Sequence, residues 1–301
     1  MRILVTGGTG LIGSRLVEIL AADGNDVAVL TRSPDREHGL PPAVAEVGWD
    51  AESLGDWVTE LPRTDVVVHL AGENISSGRW TEERKRAIRR SRVDSTRVLA
   101  RAFAECDPRP EVLVQASGID YYGARGDEIV TEETSAGDGF LAGVCQEWEE
   151  AGRPVEALGV RRPRLRTGLV LSGRGGALPL MKRPFQLFVG GPLGSGEQYV
   201  SWIHLEDEVR AIRHLIEEDE ADGPFNLTAP HPVTNEELSA RLADALGRPN
   251  LFRVPAPVLR ILLGEMAELL LTGQRAVPRR LEELGFEFRY PDLGRALEEA
   301  L

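Results

Sequence analysis

Three glycines near the start of the chain are spaced so that the backbone around them could bind a phosphate. Gly7, Gly10 and Gly13 follow the apolar run Ile3–Val5 and precede a segment with helical periodicity. At a strand-to-helix junction, the first glycine permits a tight turn, the second lets N–H groups approach a pyrophosphate, and the third lets the helix pack closely on the sheet. The spacing therefore predicts a dinucleotide site rather than an ordinary glycine-rich turn. Its candidate residues are Gly7, Thr9, Gly10, Leu11, Ile12 and Gly13.

The residues at the end of the second predicted strand indicate which of two cofactors the protein prefers. That strand, Asn25–Thr31, is followed directly by Arg32 and Ser33. NAD-preferring folds carry an acidic residue here that binds the ribose 2′-hydroxyl, whereas a guanidinium with neighbouring hydroxyls suits a 2′-phosphate. Thr31, Arg32 and Ser33 therefore favour NADP(H) over NAD(H), and the nearest carboxylate, Asp35, lies beyond the turn.

Hydroxyl groups that could take part in a reaction follow a later strand. The predicted strand Glu111–Ala116 runs into Ser117, and Tyr121 and Tyr122 come shortly after it. Because ligands collect at the carboxyl ends of parallel strands, we expect these hydroxyls beside the nicotinamide. Ser117, Tyr121 and Tyr122 are the candidate catalytic residues, and Ser117 is also a candidate cofactor contact.

A small-residue turn is predicted to lie against the cofactor ribose. The apolar strand Asp65–Leu70 leads into Ala71 and Gly72, again at a carboxyl end. The helix that follows, Thr81–Cys106, places Arg92 on one line with Ile88 and Ser95. Arg92 is therefore expected to face inward.

These elements alternate as strands and helices, which predicts an α/β fold of the Rossmann type, a doubly wound parallel sheet with strand order 3-2-1-4-5-6. A third strand is expected at Ala43–Val47, a helix at Phe140–Ala157 and a sixth strand at Gly159–Leu171. Residues 173–198 are rich in Gly and Pro and are predicted to be mainly loop. Further helices are expected near Asn235–Leu246, Pro257–Leu271 and Arg279–Leu284.

The alternation of strands and helices breaks after the sixth predicted strand, which suggests two domains. We expect a dinucleotide-binding Rossmann domain over residues 1–170, rejoined by a segment near 199–228. Residues 171–301 would then supply a smaller C-terminal substrate or regulatory domain that covers the carboxyl ends of the strands.

Composition excludes several classes of function. The net charge is −13, which argues against binding to nucleic acid or to acidic membranes. Arginine-rich stretches at Arg79–Arg101 and Arg153–Arg166 are interpreted as solvated helix or strand edges. Two cysteines and five scattered histidines indicate neither a disulfide framework nor a metal site. Met1 leads directly into the first strand, so we expect no signal peptide and a cytoplasmic location.

Taken together, these motifs resemble the extended short-chain dehydrogenase/reductases, within them the atypical epimerase-like group that carries a small uncharacterised C-terminal domain. The resemblance runs nearly end to end. It rests on Thr6–Gly13, His69–Asn74, Ser91–Val93, Tyr121–Gly123, Cys145 with Trp148 and Glu149, Gly194–Gly196, Ser201–His204, Gly273–Arg275, Pro278 and Phe288–Pro291.

The resemblance implies roles for individual cofactor contacts. Thr31 and Arg32 would hold the 2′-phosphate, and Leu70 and Ala71 would line the ribose. Arg92 and Val170 would also approach the cofactor. Arg92 itself departs from the family pattern, which has an asparagine at this place.

The larger departure is the missing catalytic pair. Members of the family use Tyr-x-x-x-Lys, followed four residues later by Glu. With Glu149 set on that Glu, Cys145 stands at the lysine and Leu141 at the tyrosine. The residues four before the only lysines, Lys85 and Lys182, are Thr81 and Leu178, so the motif occurs nowhere in the chain. Besides Tyr121 and Tyr122, Asp120 and His204 are candidates to replace the missing acid/base residue.

Two hypotheses follow. The first is an NADP(H)-dependent oxidoreductase or epimerase-like enzyme that acts on an unidentified small molecule with non-standard acid/base residues. The second is a protein that binds NADP(H) without turnover and reports it to a partner through its C-terminal domain.

Overall fold

The computed structural model describes residues 1–301. Ten α-helices are present: α1 Leu11–Ala22, α2 Glu82–Glu105, α3 Phe140–Gly152, α4 Leu178–Gln186, α5 Leu205–Glu217, α6 Asn235–Leu246, α7 Ala256–Leu263, α8 Glu268–Leu271, α9 Arg279–Glu283 and α10 Leu293–Ala300. Short 3₁₀ helices occupy Asp56–Arg63, Ile119–Tyr122, Arg153–Leu158 and Gly264–Ala267. None of the helices is long and apolar enough to cross a membrane.

The strands are β1 Arg2–Thr6, β2 Asp26–Thr31, β3 Ala45–Gly48, β4 Val66–His69, β5 Val112–Gly118, β6 Ile129–Val130, β7 Pro163–Thr167, β8 Leu169–Leu171, β9 Tyr199–Val200, β10 Trp202–His204, β11 Gly223–Leu227, β12 Val233–Thr234 and β13 Arg275–Ala276. Seven of them form one parallel sheet with the order β11-β7-β5-β4-β1-β2-β3. The predicted doubly wound α/β fold is confirmed. The predicted order is kept, and β11 adds a seventh strand at the edge.

Alternate residues of the central strands feed two hydrophobic cores. Ile3 and Val5 of β1 belong to the core on the side of α1 and α5, together with Val66 and Val68 of β4. The residue between the first two, Leu4, belongs to the core on the opposite face, with α2. Both faces of the sheet are therefore buried, which explains why these strands read as continuous apolar runs.

Two sequence predictions were wrong in the region after β5. The expected strand Gly159–Leu171 is divided at Gly168, where the backbone passes so close to Ser201 that a side chain at 168 would lie 2.5 Å from the Ser201 carbonyl oxygen. Beyond this point β8 leaves the main sheet and pairs with β10. The expected loop 173–198 contains α4, whose Leu178 and Phe185 are buried. Burial of these two side chains outweighs the local helix-breaking signal of Gly and Pro.

Candidate functional site

The glycine turn lies at the carboxyl end of β1, and contacts of its backbone explain the spacing of its glycines. Gly7 has φ +70°, and a side chain there would lie 2.7 Å from the Leu70 carbonyl carbon. A side chain at Gly13 would overlap the Gly7 carbonyl oxygen. Gly10 is exposed, and a side chain there would meet only that same oxygen, at 3.3 Å. Open space therefore remains in front of Gly10.

The helix that follows this turn presents free donors to the same space. Gly10 is the N-cap of α1 and supplies no capping side chain, so the first N–H groups of the helix are left for another acceptor. The N-terminus of a helix also carries a partial positive charge. Thr9 is exposed beside it, while Leu11 and Ile12 are half-buried. The arrangement fits the pyrophosphate of a dinucleotide.

A buried polar network connects this turn to β4 and α2. Thr6 Oγ1 lies 2.7 Å from His69 Nδ1 and accepts the N–H of Ala71 at 3.2 Å. His69 Nε2 lies 2.9 Å from Thr96 Oγ1, whose own proton goes to the Arg92 carbonyl. These partners assign the imidazole proton to Nε2. Burial lowers the pKa of His69 to about 3, so the ring stays neutral and acts as a spacer that positions Leu70 and Ala71.

The predicted 2′-phosphate residues lie at the end of β2. Arg32 is exposed and forms no ion pair or side-chain hydrogen bond. Thr31 is buried and its hydroxyl oxygen accepts the N–H of Ser33 at 3.3 Å. Arg32 therefore keeps a free guanidinium, in a chain whose other arginines are mostly paired with carboxylates or carbonyls.

Arg92 and Asp120 lie close enough for their charges to interact, beside the turns that follow β4 and β5. Arg92 Nη1 donates to the carbonyl oxygens of Glu73 and Ile88, and its guanidinium lies against Gly72 and over the ring of Trp148. Burial lowers the pKa of Arg92. Burial raises the pKa of the Asp120 carboxyl to about 6, although Arg92 opposes that shift.

Cys145 lies beside Asp120. The side-chain position of Gly118 is 3.7 Å from both Asp120 Oδ2 and Cys145 Sγ, so the carboxyl and the thiol face one point at the end of β5. Burial raises the pKa of the Cys145 thiol to about 12, which leaves it neutral. Of these two groups, Asp120 is therefore the one with two accessible protonation states near neutral pH.

Two of the candidate catalytic hydroxyls belong to a second buried hydrogen-bond network. Ser117 Oγ donates to Glu149 Oε1 at 2.8 Å, and Arg166 donates to both oxygens of the same carboxylate at 2.9 and 3.0 Å. Arg166 Nη1 also donates to Tyr122 Oη at 2.9 Å, and that hydroxyl donates to Asn226 Oδ1 at 2.7 Å. The network joins β5, α3, β7 and β11.

The environment of these hydroxyls differs from the one expected of an acid or base. The Ser117 and Tyr122 protons are both committed to internal acceptors, and burial raises the pKa of Tyr122 to about 12. Tyr121 is half-buried, with its ring 3.5 Å from the Arg166 guanidinium carbon. His204 caps the N-terminus of α5 and packs on Tyr290. The pKa of Asp120, at about 6, distinguishes this residue from Tyr122, whose pKa is about 12.

The interpretation of Arg153–Arg166 as a solvated edge was wrong for part of that segment. Arg162, directly before β7, and Arg166, on β7, are 1% and 3% exposed, so both side chains lie inside the protein. The signal that could have revealed this is their alternation along a strand, since residues two apart share one face. Val170, predicted to approach the cofactor, is half-buried on β8. No three or more His, Cys, Asp or Glu side chains are grouped as metal ligands.

The parallel doubly wound sheet, with a glycine turn between β1 and α1, defines a nucleotide-binding fold of the short-chain dehydrogenase/reductase type. Residues 3–140 match the NAD-dependent epimerase/dehydratase family, and residues 254–300 match a domain of unknown function. The chain belongs to the epimerase family. It is 42% identical to an epimerase family protein, Mb2239, of Mycobacterium bovis, over 98% of this chain and 96% of the relative.

A second relative and two solved structures are also similar to this chain. The epimerase family protein YfhF of Bacillus subtilis is 38% identical over 100% of this chain and 98% of its own. A crystal structure of the human epimerase family protein SDR39U1 with NADPH superposes with a TM-score of 0.89, at 34% identity, covering 100% of this chain and 99% of that one. A UDP-galactose 4-epimerase structure at 19% identity, covering 100% of this chain and 97% of that one, shares the fold with a TM-score of 0.78.

Proposed function

We propose that the protein binds NADP(H) and acts as an oxidoreductase or epimerase-like enzyme on a small molecule, without the Tyr-x-x-x-Lys pair of its family. The observation that carries the proposal is the composition of the cleft. An open glycine turn lies at one end, and Asp120 with Arg92 lies at the other. The first suits a dinucleotide and the second suits proton transfer.

The cofactor residues of the proposal are those of the sequence analysis. The glycine turn, residues 7–13, and the N-terminus of α1 would hold the pyrophosphate. Arg32, with Thr31 and Ser33, would hold the 2′-phosphate, which favours NADP(H). The remaining contacts would come from Leu70, Ala71, Gly72, Arg92, Ser117 and Val170. The Ser117 hydroxyl is occupied by Glu149, so this residue would contact the cofactor through its backbone.

Asp120 takes the role that the missing tyrosine has elsewhere in the family. NADP(H), when bound, supplies or accepts a hydride. With its pKa near 6, Asp120 can give a proton to a substrate oxygen or take one from it, whichever the direction of the reaction requires. Leu141 cannot exchange a proton, and the neutral thiol of Cys145 offers no positive charge.

Arg92 takes over the positive charge of the missing lysine. Its guanidinium is fixed by carbonyl oxygens on one edge, and it comes from α2 rather than from α3, where Cys145 lies. A fixed cation next to the reacting oxygen stabilises negative charge as it develops. The acid and the cation of the proposed site are thus supplied by different elements from those of the usual family members.

The test starts from the molecules that co-purify with the protein. Native mass spectrometry identifies the cofactor and any retained substrate, and turnover of that substrate is then followed by NADPH absorbance and isomer ratio. We expect Asp120→Asn to lower turnover by about 10²–10⁴-fold, with NADPH affinity unchanged. UDP- and GDP-sugars serve as a comparison panel, on which we expect less than about 1 s⁻¹. Unchanged turnover in Asp120→Asn would contradict the assignment.

A second function, NADP(H) sensing without turnover, is favoured by the hydrogen bonds that leave the reaction end. Asn226, which accepts the Tyr122 hydroxyl, donates to the Val277 carbonyl at 3.0 Å. Gln274 donates to the Ile119 carbonyl at 3.2 Å. These bonds couple the end of β5 to the C-terminal segment. A sensor would show NADPH-dependent hydrogen exchange at residues 274–277, and no turnover of any co-purified molecule.

A further inference from the structure

Five large apolar side chains project from one surface of the C-terminal half. Three follow the end of α4, and two lie on a neighbouring segment that joins the first through a hydrogen bond from the Phe252 N–H to the Gly190 carbonyl at 3.2 Å. The most exposed of them are 72% and 73% exposed. We call this surface the apolar tip; its residues are Leu187, Phe188, Val189, Leu251 and Phe252.

The backbone at the apolar tip holds an aromatic residue where glycine is usual. The Phe188 N–H donates to the Phe185 carbonyl and the Val189 N–H to the Pro184 carbonyl, each at 2.9 Å, which is the Schellman pattern of helix ends. Phe188 occupies the left-handed position of that pattern, with φ +61°. A bulky residue is strained in this conformation, and strain of this kind concentrates at functional positions. Here it displays an aromatic ring to solvent.

The charged side chains without an ion pair that lie near the apolar tip are cations. The Arg248 guanidinium lies 4.7 Å over the Phe188 ring, and Lys182 and Arg183 lie on the last turns of α4, without ion pairs. No Asp or Glu occurs between Glu156 and Glu197, or between Asp244 and Glu265. Nearby Arg253 and Arg260 are paired with Glu236 and Glu268. The tip therefore carries three free cations in a chain of net charge −13.

We propose that the apolar tip docks on the surface of a lipid bilayer that contains anionic headgroups. Exposed Phe and Leu side chains flanked by Lys and Arg match the two parts of such a surface, the acyl boundary and the negative headgroups. The net negative charge predicted no membrane partner. That charge repels an anionic bilayer only weakly at the tip, because salt at 0.1 M screens carboxylates that lie farther away than about 10 Å.

A second copy of this chain fits the tip less well than a bilayer does. In a two-fold dimer the same patch meets itself, so the cations of the two tips would be brought together. Juxtaposed like charges oppose association. A bilayer with anionic lipid complements both the apolar and the cationic side chains of the tip.

The experiment measures co-sedimentation of the full chain with vesicles of phosphatidylcholine that contain phosphatidylglycerol, at low and at high salt. We expect binding that rises with the phosphatidylglycerol fraction and falls with salt. Lys182→Gln and Arg183→Gln should each weaken it by about fivefold. Phe188→Gly should weaken binding more than tenfold and at the same time raise the thermal midpoint, because glycine relieves the left-handed strain. A purely structural role for Phe188 predicts a lower midpoint.

Matched controls are Ile129→Ser and Arg101→Gln, which remove an exposed apolar residue and an exposed cation far from the tip in sequence. Both should bind vesicles as the unmodified protein does. The proposal is overturned by absence of binding at low salt, or by equal binding of Phe188→Gly. It is also overturned by a salt-sensitive dimer, detected by sedimentation, that Phe188→Gly abolishes while vesicles have no effect.

Discussion

The two ends of the cleft are built on different principles. The phosphate end consists of backbone, and its residues lie together at Gly7–Gly13. The reaction end consists of side chains, and its elements lie far apart in sequence, on α2, β5, α3, β7 and β11. A backbone site is preserved as long as the turn is preserved, whereas a side-chain site can be rebuilt by a few substitutions. Under the proposed function, the chain keeps the glycine turn of its family and uses a different acid and a different cation.

The two ends also differ in what stabilises them. The glycines of the phosphate end allow close approach and contribute no contacts of their own. At the reaction end, Arg166 and Glu149 form a buried bidentate ion pair at 2.9 and 3.0 Å. Loss of either partner would leave a charge without compensation in the interior. A substitution at exposed Gly10 should therefore affect binding, whereas loss of Arg166 or Glu149 should affect folding.

The largest effect is expected for Gly10→Val. The Gly10 backbone has φ −84° and ψ 178°, which valine adopts readily, so the fold should persist. The new side chain would fill the space in front of the helix N-terminus, and we expect a loss of about 3–6 kcal/mol in NADPH binding, the value of two charge-assisted hydrogen bonds. Isothermal titration with NADPH measures the affinity, and a circular dichroism spectrum measures whether the fold persists.

Gly13→Val provides the contrast, since its side chain would overlap the Gly7 carbonyl oxygen. This variant should lose the fold as well as the cofactor. A well-folded Gly10→Val protein with ordinary NADPH affinity would show that the turn is not a phosphate cradle.

The next largest effect is expected for Arg166→Met. Removal of the guanidinium leaves the buried Glu149 carboxylate with Ser117 and with Arg164 at 3.6 Å, and we expect about 3–5 kcal/mol of destabilisation. Urea unfolding measures it. Replacing Glu149 by leucine in the same protein should restore much of the loss, because no unpaired charge then remains. Arg153→Met, at an exposed pair with Glu150, is the matched control and should be nearly neutral.

Local signals explain which elements could be predicted. Helix α6 was predicted with the observed bounds, Asn235–Leu246, because Thr234 caps its start and Gly247 ends it in the left-handed conformation. Strands β1 and β2 and the glycine turn were likewise readable from short apolar runs and spacing. In each case the determining residues are neighbours in the sequence.

The parts that could not be predicted depend on distant contacts. Helix α4 has no capping side chain and contains Pro184, and it forms because Leu178 and Phe185 are buried by other elements. The Glu149–Arg166 network could not be foreseen either, since its members lie 17 residues apart. Asp120 was only one of four possible substitutes, and its environment, supplied by Arg92 and Cys145, sets it apart.

A smaller effect is expected for Arg32→Ala, which tests whether side chains add specificity to the backbone end. The free guanidinium should contribute about 1.5–3 kcal/mol to binding of the 2′-phosphate. NADPH affinity should fall accordingly, while NADH affinity should stay the same. Fluorescence titrations with both cofactors measure the difference, with Arg101→Ala as control. Equal affinities of the unmodified protein for NADPH and NADH would contradict the preference.

The last prediction concerns the pH dependence of stability and a buried carboxyl, Glu208 of α5. It accepts the Thr167 hydroxyl at 2.8 Å, its second oxygen has no partner, and burial raises its pKa from 4.5 to about 8. The folded protein therefore holds a proton that the unfolded chain releases, so the contribution of Glu208 to stability is complete below pH 4.5 and is lost as the pH rises to 8, by about 1.4 kcal/mol for each pH unit. Glu208→Gln cannot ionise and should remove this slope. Urea unfolding at pH 5, 7 and 9 measures it against exposed Glu283→Gln. Parallel pH dependences of Glu208→Gln and the unmodified protein would show that the Glu208 carboxyl titrates normally, and that its surroundings are more hydrated than their packing indicates.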